Sequence, residues 1–126
     1  MDALPRLLVL DDETQIGLTI RRVAEACDYD VQTTERASAF KTAYAKFPPD
    51  AIVLDLAVPD MDGIELLDWL ADEGCAHPIL IVSGLDRPVI ETAKALGKAR
   101  GLKIAGTMSK PIRTAELRTM LLDLRS

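Results

Sequence analysis

Ala51-Ile52-Val53-Leu54-Asp55-Leu56-Ala57-Val58-Pro59-Asp60-Met61-Asp62-Gly63 is a short apolar run that delivers one carboxylate to its end and passes into a turn rich in Pro, Asp and Gly. Four consecutive apolar residues bounded by turn signals predict a strand buried on both faces, as in a parallel sheet covered by helices. Asp55 then stands where a strand meets solvent. A carboxylate beside such a run is costly to desolvate unless cations or hydrogen-bond donors compensate it, so other parts of the chain are expected to supply them.

Outward from this stretch, the composition bounds the answer. With 126 residues, 48% of them apolar and 28% charged, the chain is expected to form one globular domain over residues 1–126, with no output domain. A net charge of −5 argues against a surface that binds nucleic acid or an anionic membrane directly. The charge is uneven, with six Lys/Arg against seventeen Asp/Glu in residues 1–86 and nine against three in 87–126. Cys27 and Cys75 show no metal-ligand spacing, and Cys75 with His77 offers too few ligands for a closed zinc site. With no signal peptide ahead of the first apolar run and no bilayer-length apolar segment, a reduced, cytoplasmic setting is expected.

Taken in order, the chain alternates two periods. Leu7–Leu10 reads as a buried strand ending in Asp11-Asp12-Glu13. Ile16, Ile20, Val23 and Cys27 recur at helical spacing after it. A strand over Tyr29–Thr34 follows, then a helix over Ala37–Lys46 stopped by Pro48-Pro49. Beyond the opening stretch, a helix over Gly63–Asp72 is expected to bury Ile64, Leu67, Leu70 and Ala71, and Glu73-Gly74 closes it. Ile79–Val82 is the fourth strand, ending at Ser83-Gly84. Pro88 opens a helix to about Arg100, with Val89, Ala93 and Leu96 expected to face inward. Ile104–Met108 is a fifth strand, ending at Ser109-Lys110-Pro111. A last helix starts near Thr114 as N-cap and carries Leu117, Met120, Leu121 and Leu124 on one stripe.

The fold class that follows is α/β: a (βα)5 doubly wound, five-stranded parallel sheet in the order 2-1-3-4-5, with helices on both faces. In such sheets the functional crevice lies beyond the carboxyl ends of the strands. The residues at those ends are Asp11 and Asp12, Asp55, Ser83 and Lys110, and the strand order brings them to one edge. Three carboxylates crowded together repel, and a hard divalent cation with oxygen ligands is the simplest remedy, which points to Mg²⁺. In that setting Asp55 can act as a nucleophile toward phosphorus. Lys110 neutralises developing charge and Ser83 donates to a phosphoryl oxygen.

The Asp11-Asp12 pair, Asp55 ahead of Val58-Pro59-Asp60-Met61-Asp62-Gly63, Ser83-Gly84 and Lys110-Pro111 together resemble the receiver domain of two-component response regulators, over essentially the whole chain. The resemblance implies that Asp55 accepts a phosphoryl group from a phosphohistidine on a sensor histidine kinase or a histidine phosphotransfer protein. It further implies that Asp12, Asp55 and the backbone carbonyl of Ala57 hold Mg²⁺, with Asp11 assisting through water. Lys110 and Ser83 would bind the phosphoryl group, and Ser83 would move toward it on activation. Such a domain is a signalling module that promotes only its own phosphorylation and dephosphorylation.

Two departures from the family pattern stand out. Members usually carry Tyr or Phe three residues before the lysine, as part of the switch, where this chain has Thr107. The separation of Ser83 from Lys110 is also longer than in compact members, by about one and a half helical turns, similar to receivers found ahead of cyclic-dinucleotide phosphodiesterase domains. The basic excess lies in the same region. Lys94, Lys98, Arg100, Lys103 and Arg118 are therefore candidates for a surface on the fourth and fifth helices that contacts an acidic partner or an effector domain. Two copies could also pair through the fourth helix, fifth strand and fifth helix. Ala57 and Leu85 would flank the phosphoryl group without orienting a water, which predicts a phosphorylated state of moderate to long lifetime.

Three other readings are open to the same sequence. A phosphorylation-independent receiver-like adaptor, or a regulatory domain excised from a larger protein such as a cyclic-dinucleotide phosphodiesterase, is the alternative within the family. A haloacid-dehalogenase-type phosphatase would place an acid/base Asp two residues after the nucleophile, where this chain has Ala57. A flavin or nucleotide binder would need a glycine- or hydroxyl-rich loop after the first strand, where this chain has Asp-Asp-Glu.

Overall fold

Alternate residues of the apolar runs are buried on opposite sides of one sheet, the period-2 geometry of strands covered on both faces. Leu8, Leu10, Ile52, Leu54 and Ile81 pack one way, and Leu7, Val9, Val53, Leu80 and Val82 the other. The computed structural model describes residues 3–125. Its elements are β1 (Arg6–Leu10), α1 (Thr14–Ala26), β2 (Asp30–Thr34), α2 (Ala37–Lys46), β3 (Ala51–Leu54), β4 (Ala57–Val58), β5 (Met61–Asp62), α3 (Gly63–Asp72), β6 (Ile79–Ser83), α4 (Arg87–Ala99), β7 (Ile104–Ser109) and α5 (Thr114–Leu124).

The main sheet is parallel throughout, in the order β2-β1-β3-β6-β7. This is the predicted 2-1-3-4-5 arrangement, with one addition. The turn after Asp55 closes into a two-stranded antiparallel hairpin, β4 with β5, pairing Ala57 with Asp62 and Val58 with Met61. The α1 and α5 residues Ile20, Ala24, Leu117 and Leu121 cover one face. Phe40 and Ala43 of α2, Leu66, Leu67 and Leu70 of α3, and Ile90 and Ala93 of α4 cover the other. Fully burying each of the large aliphatic side chains contributes about 1.5–3 kcal/mol. Trp69 packs in the α2–α3 seam, edge-on to Tyr44 with ring centroids 5.4 Å apart.

Three helical details differ from the sequence expectation. On α3 the buried stripe is Leu66, Leu67 and Leu70, and Ile64 and Ala71 are only half-buried. On α4 it is Ile90, Ala93 and Gly97, while Val89 and Leu96 are exposed. Gly97 wins the inward position because α4 approaches β7 so closely there that an added Cβ would lie 3.2 Å from Ile104, whereas the larger Leu96 is turned outward. The N-cap of α5 is Arg113, and Thr114 is already helical.

The first turn of α2 is held from a distance. Its N-cap Arg36 makes no side-chain cap. Asp60, at the tip of the β4–β5 hairpin, instead accepts from the N–H groups of Ala37 at 2.8 Å and Ser38 at 3.0 Å. The Ser38 and Ala37 amides hold the Asp60 carboxyl below the ordinary aspartate value. Its stabilising contribution is therefore present above that ordinary value and is lost as pH falls through the folded-state value. Asp60→Ala is expected to lower the melting temperature at neutral pH, with a deficit that closes in acid. Melting curves that coincide at neutral pH would contradict this.

Candidate functional site

Parallel pairing ends four strands at one edge, and the chemistry is carried by the residue that follows β1, β3 and β7 and by the last residue of β6. Asp11 N–H donates to Thr34 O at 3.0 Å and Asp55 N–H to Leu10 O at 2.9 Å, so both carboxylates continue the ladders of β1 and β3. Lys110 N–H donates to Ser83 O at 2.9 Å in the same way, joining the ends of β7 and β6. Asp11 and Asp55 are each 2% exposed and Ser83 is fully buried. Asp12 is exposed and opens the cluster to solvent.

Lys110 is the cation demanded by the buried carboxylates. Its ammonium lies 3.0 Å from Asp55 Oδ2 and 2.9 Å from Asp11 Oδ2, and it also contacts the exposed Glu13 carboxylate. Burial alone would lower the Lys110 ammonium, but hydrogen bonds to Glu13, Asp11 and Asp55 outweigh it and hold the group above the ordinary lysine value. Burial raises the Asp11 carboxyl, against hydrogen bonds from the Glu13 amide and Lys110. Both oxygens of Asp55 are oriented, because Oδ1 accepts from Ala57 N–H at 3.0 Å while Oδ2 faces Lys110.

The donor set fits a hard divalent cation. Asp11, Asp12 and Asp55 each present a carboxylate oxygen, all within 4.8 Å of one another. Asp11 Oδ2 is buried and, although Lys110 is near, no donor is aligned on it. That is the environment an oxygen-seeking ion satisfies.

Ser83 Oγ accepts from Leu85 N–H at 3.3 Å, which leaves its own proton free to donate. Thr107 is half-buried on β7, opposite Ile81 of β6.

Residues 7–122 match the family model for the response regulator receiver domain. The chain belongs to this family. The receiver is 34% identical over 113 residues to the alkaline phosphatase synthesis transcriptional regulatory protein PhoP of Bacillus subtilis, an alignment covering 89% of this chain and 45% of PhoP. It is 38% identical over 77 residues to the transcriptional regulatory protein KdpE of Mycobacterium tuberculosis, covering 61% of this chain and 34% of KdpE. The receiver thus spans less than half the length of either regulator. Among solved structures, a response regulator from Colwellia psychrerythraea superimposes with a TM-score of 0.83 at 32% identity, covering 96% of both chains.

The five basic residues expected on one receiver surface are divided by the structure. Arg100, the C-cap of α4, reaches Asp68 at 2.6 Å and Asp72 at 2.8 Å and so faces α3. Arg118 lines a groove with Arg22, Val23 and Ala26 of α1. Lys103 lines a second groove together with Met120, Asp123 and Leu124 of α5. Lys94 is half-buried and Lys98 exposed on α4. A count of charges along the chain carries no information about the side of the helix on which each one falls. Glu13 and Asp60 are the contributors that sequence reasoning passed over. Glu13 was legible only as part of an acidic strand end, and the Asp60 contact bridges segments 23 residues apart. Among the described residues, no helix is long and apolar enough to cross a membrane.

Proposed function

We propose that this receiver accepts a phosphoryl group on Asp55 from a phosphohistidine of a sensor histidine kinase or phosphotransfer protein. The observation that carries the reading is the convergence on Lys110 of two buried carboxylates, Asp11 and Asp55, at the mouth of the sheet. An Asp55 oxygen forms the bond to phosphorus as the phosphorus–nitrogen bond breaks, and the electron pair leaves with the imidazole. Lys110 takes up the charge that grows on the phosphoryl oxygens, and Ser83 donates its hydroxyl proton to one of them. Asp11, Asp12, Asp55 and the Ala57 carbonyl would hold Mg²⁺. Lewis acidity toward the phosphoryl oxygens is what the ion supplies when bound.

The output surface in this reading is α4–β7–α5. Ser83 is tied to Leu85, and Leu85, Val89 and Leu96 are large exposed apolar side chains at or on α4. Lys94 and Lys98 lie on the same helix. A reversal of charge at both lysines is expected to weaken an acidic effector or partner.

The test is intact mass after incubation with acetyl phosphate and Mg²⁺. One phosphoryl adduct is expected on the wild type, and none on Asp55→Asn or in chelator. An adduct that survives Asp55→Asn would move the acceptor elsewhere.

A further inference from the structure

Lys110 has three N–H donors and hydrogen-bonds three carboxylates, Asp11 through Oδ1 at 3.3 Å, Asp55 through Oδ2 at 3.0 Å, and Glu13. The ammonium is therefore saturated, and a phosphoryl oxygen can gain a donor from it only by displacing one carboxylate. The three are not equivalent. The Asp11 and Asp55 side chains are 1% and 2% exposed, so either would be left desolvated, whereas Glu13 is 58% exposed and regains water at once. Glu13 is also the N-cap residue of α1, yet its side chain makes no cap bond there.

We propose that Glu13 is a positioning residue that occupies, in the resting domain, the Lys110 donor that the phosphoryl group of an incoming phosphodonor takes over before transfer, while Asp55 is still a carboxylate. The exchange breaks no covalent bond, since one Lys110 N–H leaves a Glu13 oxygen for a phosphoryl oxygen and the Glu13 carboxylate turns to water. Glu13 competes with the donor's phosphoryl group for the lysine, and the Asp11 and Asp55 contacts keep the ammonium at the acceptor when Glu13 lets go. The inference rests on the reading of Asp55 as acceptor.

The experiment compares wild type, Glu13→Gln and Glu35→Gln by intact mass over a series of acetyl phosphate concentrations with Mg²⁺. Glu35 is a matched control, because its carboxylate lies by Thr14 and makes no contact with Lys110. Glu13→Gln is expected to lower the half-saturating acetyl phosphate concentration about two- to five-fold, the range of a partly exposed ion pair, and to leave the maximal rate unchanged. Glu35→Gln is expected to match wild type. A second readout needs neither metal nor phosphate: an amine-acylating reagent, mapped by peptide mass, is expected to label Lys110 faster in Glu13→Gln. Equal half-saturation and equal labelling in Glu13→Gln and wild type would overturn the proposal, as would an equal gain in Glu35→Gln, which would make the effect one of net charge. No adduct on the wild type would overturn the acceptor reading itself.

Discussion

Lys110→Met is expected to destabilise the domain by about 3 kcal/mol near neutral pH, the scale of removing one partner from a buried ion pair. The substitution keeps the apolar stem but leaves the Asp11 and Asp55 carboxylates, both nearly inaccessible, with no cation between them. The pH dependence separates this cause from lost packing. The Asp11 carboxyl is already raised by burial, and the variant loses the Lys110 hydrogen bond and charge that act against that rise. A carboxyl whose folded value lies above its unfolded value costs stability at higher pH, and the cost fades as pH falls through the folded value. The deficit of the variant should thus shrink in acid. The Lys110 ammonium gives the opposite signature in the wild type, because its folded value is raised. Its contribution is full below the ordinary lysine value and is lost as pH rises through the folded one, a loss that Lys110→Met cannot show. Urea unfolding at about pH 4.5, about pH 7 and about pH 11 checks both slopes. A deficit constant from acid to neutral would show that packing, not charge, is what Lys110 contributes. Added Mg²⁺ should stabilise the variant at neutral pH, since binding to the folded carboxylates alone favours the folded state.

Gly63→Ala is expected to cost about 1–3 kcal/mol or more, the range for forcing extra atoms into a packed site. A Cβ at Gly63 would lie 2.7 Å from the Leu56 carbonyl oxygen and 2.8 Å from its Cα, so backbone has to move. Leu56 follows Asp55 directly, and the displaced segment carries the Ala57 N–H that orients Asp55 Oδ1. The variant should therefore lose phosphorylation rate as well as stability. Gly17→Ala is the matched control: nothing lies within 4 Å of its Cβ position, and removing a helix-interior glycine is expected to stabilise by up to about 1 kcal/mol. Denaturation midpoints of the two variants settle the comparison, and similar midpoints would count against a steric role for Gly63.

The parts of the molecule that were legible beforehand are those with a local, repeating signal. The runs Leu7–Leu10, Ala51–Leu54 and Ile79–Val82 are apolar at every position and bounded by turn signals, as strands covered on both faces are. Strands separated by helices force parallel crossovers, and these place every strand's carboxyl end on one edge. Asp11, Asp55, Ser83 and Lys110 were therefore readable as neighbours although they are up to 99 residues apart. The Asp-Asp-Glu, Ser-Gly and Lys-Pro pieces each say little alone, and the topology makes them one constellation.

What was not legible depends on which way a side chain turns within its element. On α4, Val89-Ala93-Leu96 and Ile90-Ala93-Gly97 are two stripes through one alanine, and hydropathy favours the first. The second is buried because α4 runs so close to Ile104 that even a Cβ at position 97 would be tight, at 3.2 Å. Arg100 and Arg118 belong to the same basic stretch, yet one is held by two aspartates of α3 and the other faces α1.

Hydropathy period and strand-end chemistry thus sufficed for the architecture, the family resemblance and the candidate acceptor, because each piece is a local signal and the parallel topology alone fixes how the pieces meet. The cap that Asp60 places on α2, the saturation of Lys110 by Glu13 and the division of the basic residues emerged only on folding. Each is a contact between segments whose relative rotation is set by packing, and packing is decided by volumes and distances that hydrophobic patterning does not encode.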